Sequence, residues 1–156
     1  MKKIITLLAA VALSVSFLSA QNAYRTAGDM SITAGVGFGS LGTCVAASFD
    51  YTVFDFGKAG NLSFGGYVGD SIEKSSHCML VGPMVCYRFP VSGSFDLSAK
   101  TVVGYGRVFN SAAHFDSFGK ALMAGANYYF SSRIGVGAEL GLGVAPTFSA
   151  HVVIRL

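Results

Sequence analysis

The residues best suited to nucleophilic chemistry lie in the segment SAAHFDSFG, which contains His114, Asp116 and Ser117. A serine nucleophile needs a base within hydrogen-bond reach and a third group that orients the base. These three residue types match that requirement. The same residues are also typical of a polar surface loop that has no catalytic role. We therefore keep the cluster as a hypothesis and name no catalytic residue.

The other reactive side chains do not form a recognisable cofactor or metal site. Cys44, Cys78 and Cys86 lack the spacing of a metal-binding motif. A bridge between Cys44 and Cys78 is geometrically conceivable and stays open, although a role as small apolar side chains is simpler. The stretch GVGFGS lacks both the G-x-G-x-x-G spacing and a following helix. We expect no cofactor and no metal.

The first twenty residues, MKKIITLLAAVALSVSFLSA, contain two lysines, an apolar run and small residues before Ala20. This pattern predicts a secretory signal peptide at residues 1–20. Removing Lys2 and Lys3 from the eleven basic residues leaves nine against eight acidic ones, a net charge of +1. The remaining chain has no basic cluster, which excludes nucleic-acid binding.

Apolar residues alternate with small or polar residues along most of the remaining chain. In RIGVGAELGLGV, residues 133–144, six apolar residues alternate with four glycines and Glu139. Period-two alternation is typical of a β-strand whose two faces meet different environments. Eight such segments follow one another between Met30 and Leu156. The weakest is HCMLVGPMVCYRFP, where Pro83 predicts a bulge or kink.

The composition favours a membrane barrel over a soluble β-protein. Hydrophobic residues make up 52% of the chain and charged residues only 12%, against about 25% charged residues in a typical soluble domain. A β-sandwich or a lipocalin-like barrel needs a charged exterior, which this chain cannot supply. A closed barrel satisfies every backbone polar group inside a lipid bilayer. The predicted fold is all-β: an eight-stranded antiparallel up-and-down transmembrane β-barrel.

The predicted barrel spans residues 30–156, and residues 21–29 form a short periplasmic N-terminal segment. Within the barrel, the alternation assigns the scarce charged side chains to the lumen. The predicted lumen-facing network consists of Asp50, Arg88, Asp96, Lys100, Glu139, His151 and Arg155. Acids and bases are nearly balanced in this set, as a dry, paired interior requires. We therefore expect a lumen plugged by charged side chains, with a narrow channel as the alternative.

Aromatic residues cluster near one set of strand ends, which predicts a girdle at a membrane interface. The predicted girdle consists of Tyr51, Phe64, Tyr87, Phe89, Phe95, Tyr128 and Phe130. The segments FDFGKAGN, FPVSGS and FSSR are compact and are predicted as periplasmic turns. Two longer segments, Gly69–His77 and Arg107–Lys120, are predicted as extracellular loops.

The chain resembles the small outer-membrane β-barrel proteins of Gram-negative bacteria, the OmpA/OmpX-like group. The tail ANYYFSSRIGVGAELGLGV, followed by FSAHVVIRL, is similar to the last strands of small barrels from Bacteroidetes. The resemblance implies a location in the outer membrane, with outer-membrane lipids and lipopolysaccharide as neighbours. It also implies insertion by the barrel-assembly machinery. We expect a monomer with a structural or surface-interaction role and no catalysis.

The same resemblance supplies an alternative of a different class. Some eight-stranded barrels act on the acyl chains of lipid A, and they use His and Ser near the outer leaflet. His114 and Ser117 would be the corresponding residues here. Their spacing departs from the H-x-S pattern of the deacylases, so the non-enzymatic interpretation is preferred.

Overall fold

The structure is a computed structural model that describes residues 25–39, 42–73, 76–110 and 113–156. The predicted signal peptide, residues 1–20, lies outside the described residues. Within those ranges no helix is both long and apolar enough to cross a membrane. Almost all of the described chain is β-strand.

The described residues form eight antiparallel strands, each hydrogen-bonded to the next, with β8 closing the barrel against β1. This confirms the predicted fold class. A single turn of 3-10 helix, Gly57–Ala59, joins β2 to β3. The strands are β1 (Met30–Gly39), β2 (Gly42–Asp55), β3 (Asn61–Glu73), β4 (Ser76–Ser92), β5 (Phe95–Asn110), β6 (Ala113–Tyr129), β7 (Ile134–Gly143) and β8 (Phe148–Arg155).

The register of the strands shows that they are steeply inclined to the barrel axis. We call the end where β1 begins and β8 ends the terminal end, and the opposite end the far end. One row of paired residues connects Phe38, at the far end of β1, to Phe54, at the terminal end of the neighbouring strand β2. The row runs through Phe148, Leu140, Ala124, Ala99, Tyr87 and Leu62. Such a stagger is what closing a barrel of eight strands requires.

The two predicted extracellular loops, Gly69–His77 and Arg107–Lys120, are wrong for most of their length. β3 continues to Glu73 and β4 begins at Ser76, while β5 continues to Asn110 and β6 begins at Ala113. In the second hairpin the pairing runs on through Arg107–Asp116 to Asn110–Ala113. The backbone groups of each strand are satisfied by the other, so the polar side chains of these segments do not end the strands.

The bulge predicted at Pro83 is not observed. β4 pairs with β5 in one register on both sides of this residue, from Val81–Tyr105 to Met84–Val102. The pairing with β5 is nevertheless interrupted at Gly82 and Pro83, and proline has no N–H to donate. Register shifts occur instead nearer the terminal end, between Thr52 and Phe54 and between Pro90 and Ser92.

Glycines on the inner face allow neighbouring strands to approach closely. A Cβ atom built on Gly65 would lie 2.7 Å from Cα of Asp50, and one built on Gly82 would lie 2.6 Å from Cα of Gly104. Both distances are shorter than side-chain contacts allow. A narrow barrel therefore needs glycine at these positions, and large side chains occupy the space that remains inside.

Candidate functional site

Asp50 anchors the first of two charge clusters inside the barrel. Arg88, on β4, donates from Nη1 to Asp50 Oδ1 at 2.7 Å and from Nη2 to Asp50 Oδ2 at 2.8 Å. Ser31, on β1, donates to Oδ2 of the same carboxylate at 2.7 Å. Both charged side chains are buried. A two-point pair of this kind combines charge with fixed geometry, which makes it one of the stronger polar contacts in proteins.

Arg25 extends this cluster from outside the strands. It precedes β1, yet its side chain is buried in the terminal end of the barrel. Its Nη1 donates to Ser31 Oγ at 2.9 Å and lies 3.4 Å from Asp50 Oδ1, while its Nη2 donates to Tyr129 Oη at 3.1 Å. Burial lowers the pKa of Arg25 from its ordinary value, and the positive charge of Arg88 acts in the same direction. An arginine nevertheless stays protonated in proteins.

Asp96 continues the network on the other side of Arg25. It accepts hydrogen bonds from Tyr129 Oη at 2.9 Å and from Asn127 Nδ2 at 2.6 Å. The amide oxygen of Asn127 lies 2.7 Å from His151 Nε2. Because an amide oxygen only accepts, Nε2 of His151 carries the proton. The guanidinium carbon of Arg155 lies 3.8 Å from the centroid of the Tyr129 ring, a cation–π contact.

Lys100 and Glu139 form a second pair nearer the middle of the barrel. Nζ of Lys100 lies 2.5 Å from Oε1 of Glu139, and both side chains are more than 90% buried. A cavity of about 20 Å³ lies beside the pair, and Tyr67, Ser149 and His151 also line it. That volume holds about one water molecule. The pair and its cavity lie side by side within the lumen.

A cluster of apolar side chains packs inside the lumen, next to the Lys100–Glu139 pair. We call it the lumen plug, and its members are Tyr67, Leu80, Met84, Cys86, Val102, Ala121, Met123 and Ala145. Leu80 and Met84 are at most 2% exposed. The lumen therefore contains apolar side chains as well as ion pairs, and the two kinds of side chain meet beside Lys100, which pairs with Cys86 on β4 and with Met123 on β6.

The structure places all seven charged residues predicted for the lumen on the inner face. Six of them are buried, and Arg155 is half-buried. They form two groups: Asp50, Arg88, Asp96, His151 and Arg155 belong to the larger network, while Lys100 and Glu139 form the separate pair. The larger network also contains six residues that the sequence prediction omitted. These are Arg25, Ser31, Thr52, Ser63, Asn127 and Tyr129.

The alternation could have identified five of these six residues. Their inward-facing positions lie on β1, β2, β3 and β6, but an uncharged side chain gives no reason to single it out. The alternation gives no information about Arg25, because this residue precedes the first strand. The lumen plug was missed for a similar reason: Leu80, Met84 and Val102 are apolar residues at positions assigned to a polar interior.

The residues predicted for the aromatic girdle lie near the terminal end of the barrel. Tyr51 pairs with Phe64, and Phe95 pairs with Tyr128. Tyr51, Phe64, Tyr87, Phe89 and Tyr128 are 38–44% exposed, while Phe95 and Phe130 are half-buried. Beyond this ring the outer wall is apolar: Phe38 is 61% exposed, Leu140 64% and Leu142 72%.

The side chains of His114, Asp116 and Ser117 lie outside what the structure describes, although their backbone belongs to β6. The nucleophilic hypothesis therefore stays a prediction. His77 is exposed, and its Nδ1 lies 3.8 Å from Oδ2 of Asp70. An exposed pair at that separation contributes little to stability.

The three cysteines are free thiols. Cys44 lies opposite Ser71, which in turn lies opposite Cys78. Two strand spacings separate the two cysteines, about 9 Å, and a disulfide needs Cα atoms closer than about 7 Å. Among the described residues, no group of three or more His, Cys, Asp or Glu side chains could hold a metal ion.

Comparison with known proteins gives likenesses of fold. No protein-family model and no curated protein matches the chain. The N-terminal β-barrel domain of Pseudomonas aeruginosa OprF is 14% identical, with a TM-score of 0.63, over 85% of this chain and 100% of that domain. A barrel from the de novo design of transmembrane β-barrels is 18% identical, with a TM-score of 0.61, over 85% of this chain and 98% of the designed chain.

These likenesses agree with the distribution of side chains. A ring of aromatic side chains, an apolar outer wall and a polar interior are features expected of a barrel that spans a lipid bilayer. The chain has the fold of an outer-membrane-type β-barrel and resembles the OmpA-like barrel of OprF.

Proposed function

We propose that this chain is an outer-membrane protein of a Gram-negative bacterium with a structural or surface-interaction role and no catalysis. Its signal peptide would direct export, and the barrel-assembly machinery would insert it as a monomer. The proposal rests on a distribution of side chains opposite to that of a soluble protein, with apolar side chains outside and charged side chains inside. Leu142 is 72% exposed on the outer wall, while Asp50 inside the barrel is fully buried.

A closed lumen supports a structural role over transport. The charged network, the Lys100–Glu139 pair and the lumen plug together occupy the interior of the barrel. The cavity beside that pair has room for about one water molecule. A hydrated ion would have to break at least one buried ion pair and displace the plug. The functional surfaces would then be the lipid-facing wall, next to lipopolysaccharide, and the far end of the hairpins.

Planar-bilayer recording distinguishes the closed barrel from the narrow channel. We expect the refolded wild-type protein to give no resolved conductance steps. A variant with Leu80, Met84 and Met123 all replaced by Ala serves as the matched control, since it removes plug volume and keeps every charged residue. Steady single-channel steps from the wild-type protein would overturn the closed lumen.

Comparison of lipid A from cells with and without the gene tests the absence of catalysis. We expect identical mass profiles, and we expect the protein to co-fractionate with the outer membrane. A difference of one acyl chain, restored by the wild-type gene but not by His114→Ala, would replace this proposal with the enzyme hypothesis. Recovery of the protein only in the soluble fraction would overturn the membrane location.

A further inference from the structure

The turn between β2 and β3 carries an exposed pair of aromatic rings beyond the girdle. The ring centroids of Phe54 and Phe56 lie 6.3 Å apart, with 15° between the ring planes. Phe54 is 51% exposed and Phe56 is 53% exposed. Two stacked rings in water would expose a substantial apolar surface at the tip of a hairpin, which is unfavourable unless something covers it.

The backbone of this turn is held in one conformation. The N–H of Gly57 donates to Asp55 Oδ1 at 2.8 Å, and the N–H of Phe56 donates to the carbonyl oxygen of Gly60, also at 2.8 Å. Gly57 and Gly60 have φ values of 61° and 116°, which favour glycine. These hydrogen bonds and glycine conformations therefore define the backbone of the turn that carries Phe56.

The turn leans toward the lipid-facing wall and away from the mouth of the lumen. The hydroxyl of Tyr87 donates to the carbonyl oxygen of Ala59, and Tyr87 belongs to the girdle on the outer face. Phe54 is in the same paired row, since it lies opposite Leu62 and Leu62 lies opposite Tyr87. The two phenylalanine rings thus continue the outer wall without a break.

We propose that this turn is an interfacial anchor that binds the phospholipid leaflet at the terminal end of the barrel. Phe54 and Phe56 would lie among the headgroups and the upper acyl chains, where aromatic rings are favoured. Lys58 is exposed at the tip, where its ammonium complements the lipid phosphate while its stem lies along the apolar surface. The neighbouring Asp55 carboxylate is occupied by the N–H of Gly57. This inference rests on the proposed membrane location.

The chain contains no tryptophan, so one introduced tryptophan reports on one position. Three variants are refolded into phosphatidylcholine vesicles: Phe56→Trp, Ser132→Trp in another turn at the terminal end, and Leu140→Trp on the outer wall. Emission maxima and quenching by acrylamide are measured for each. Quenching is also measured in phosphatidylcholine brominated either near the headgroup or deep in the acyl chain. Migration of unboiled samples on a gel checks that each variant has folded.

An anchored turn predicts that Phe56→Trp emits at shorter wavelength than Ser132→Trp and is quenched best by the shallow brominated lipid. Acrylamide should quench it about twofold less than Ser132→Trp, as expected for a ring held in the interface. Leu140→Trp should be quenched best by the deep brominated lipid.

Two outcomes would overturn the anchor, and they are distinguishable. If Phe56→Trp matches Ser132→Trp in emission and acrylamide quenching while Leu140→Trp is quenched by deep bromine, the turn is in water and the membrane barrel stands. The paired rings would then be a candidate contact for a soluble protein. If brominated lipids quench none of the three variants, the membrane location fails and the anchor fails with it.

Discussion

Arg88 and Asp50 form a two-point ion pair inside the barrel, with hydrogen bonds of 2.7 and 2.8 Å between β4 and β2. Arg25 approaches the same carboxylate from the N-terminal segment. The buried carboxylate of Asp50 therefore interacts with two buried guanidinium groups. Without Asp50, Arg25 and Arg88 would lie near each other and lack this counter-ion.

Replacing Asp50 with Ala should lower the free energy of unfolding by about 3–5 kcal/mol, the usual effect of breaking a buried ion pair. The Arg25→Ala variant should lose a smaller part of the free energy of unfolding, since Arg88 still neutralises Asp50. Urea unfolding in detergent micelles measures the free energy of unfolding of both variants. An Asp50→Ala barrel within experimental error of the wild type would show that the network contributes nothing to stability.

The Lys100–Glu139 pair gives a different prediction because it borders the lumen plug. Lys100→Met alone should be strongly destabilising, since it leaves Glu139 buried without its cation. The double variant Lys100→Met/Glu139→Leu should recover most of that loss, because apolar side chains can pack against Met84 and Met123. A double variant less stable than the single one would contradict this reasoning.

Adjacent glycines on β3 test the close approach of the strands. A Cβ atom on Gly65 would meet the carbonyl oxygen of Phe49, while one on Gly66 would meet only the carbonyl oxygen of Gly82, at 4.0 Å. Gly65→Ala should therefore destabilise the barrel by about 1–3 kcal/mol or more. Gly66→Ala is the matched control and should be nearly neutral. Equal unfolding midpoints for the two variants would count against the described register.

The proposed lipid contact along β7 predicts that the effect of an introduced charge depends on depth. Leu140→Arg, in the middle of the outer wall, should lower the free energy of unfolding in vesicles by about 2–4 kcal/mol. Ile134→Arg, at the terminal end of the same strand, should lower it by only about 0–1 kcal/mol. Both native side chains are exposed, at 64% and 40%. Equal costs at the two positions would indicate that β7 faces water rather than a bilayer.

The period-two alternation was enough to predict eight strands, their faces and the charged lumen, because each strand has only two sides. The strand ends were harder to predict. At Arg107–Lys120, polar residues resemble a loop, yet the pairing of β5 with β6 continues because each strand satisfies the backbone groups of the other.

Contacts that depend on the closed barrel could not be read from the sequence. Arg25 reaches Asp50 and Tyr129 only because β1, β2 and β6 converge at the terminal end. Leu80, Met84 and Val102 are apolar residues on an inner face that the alternation assigns to polar side chains, and only closure shows that they pack in one cluster.

The most direct test of a membrane-spanning closed barrel is refolding of urea-unfolded mature chain into phospholipid vesicles, followed by electrophoresis of boiled and unboiled samples and by protease digestion. We predict that the unboiled protein migrates differently from the boiled protein and that a fragment containing all eight strands survives digestion. Identical migration together with complete digestion would contradict the barrel.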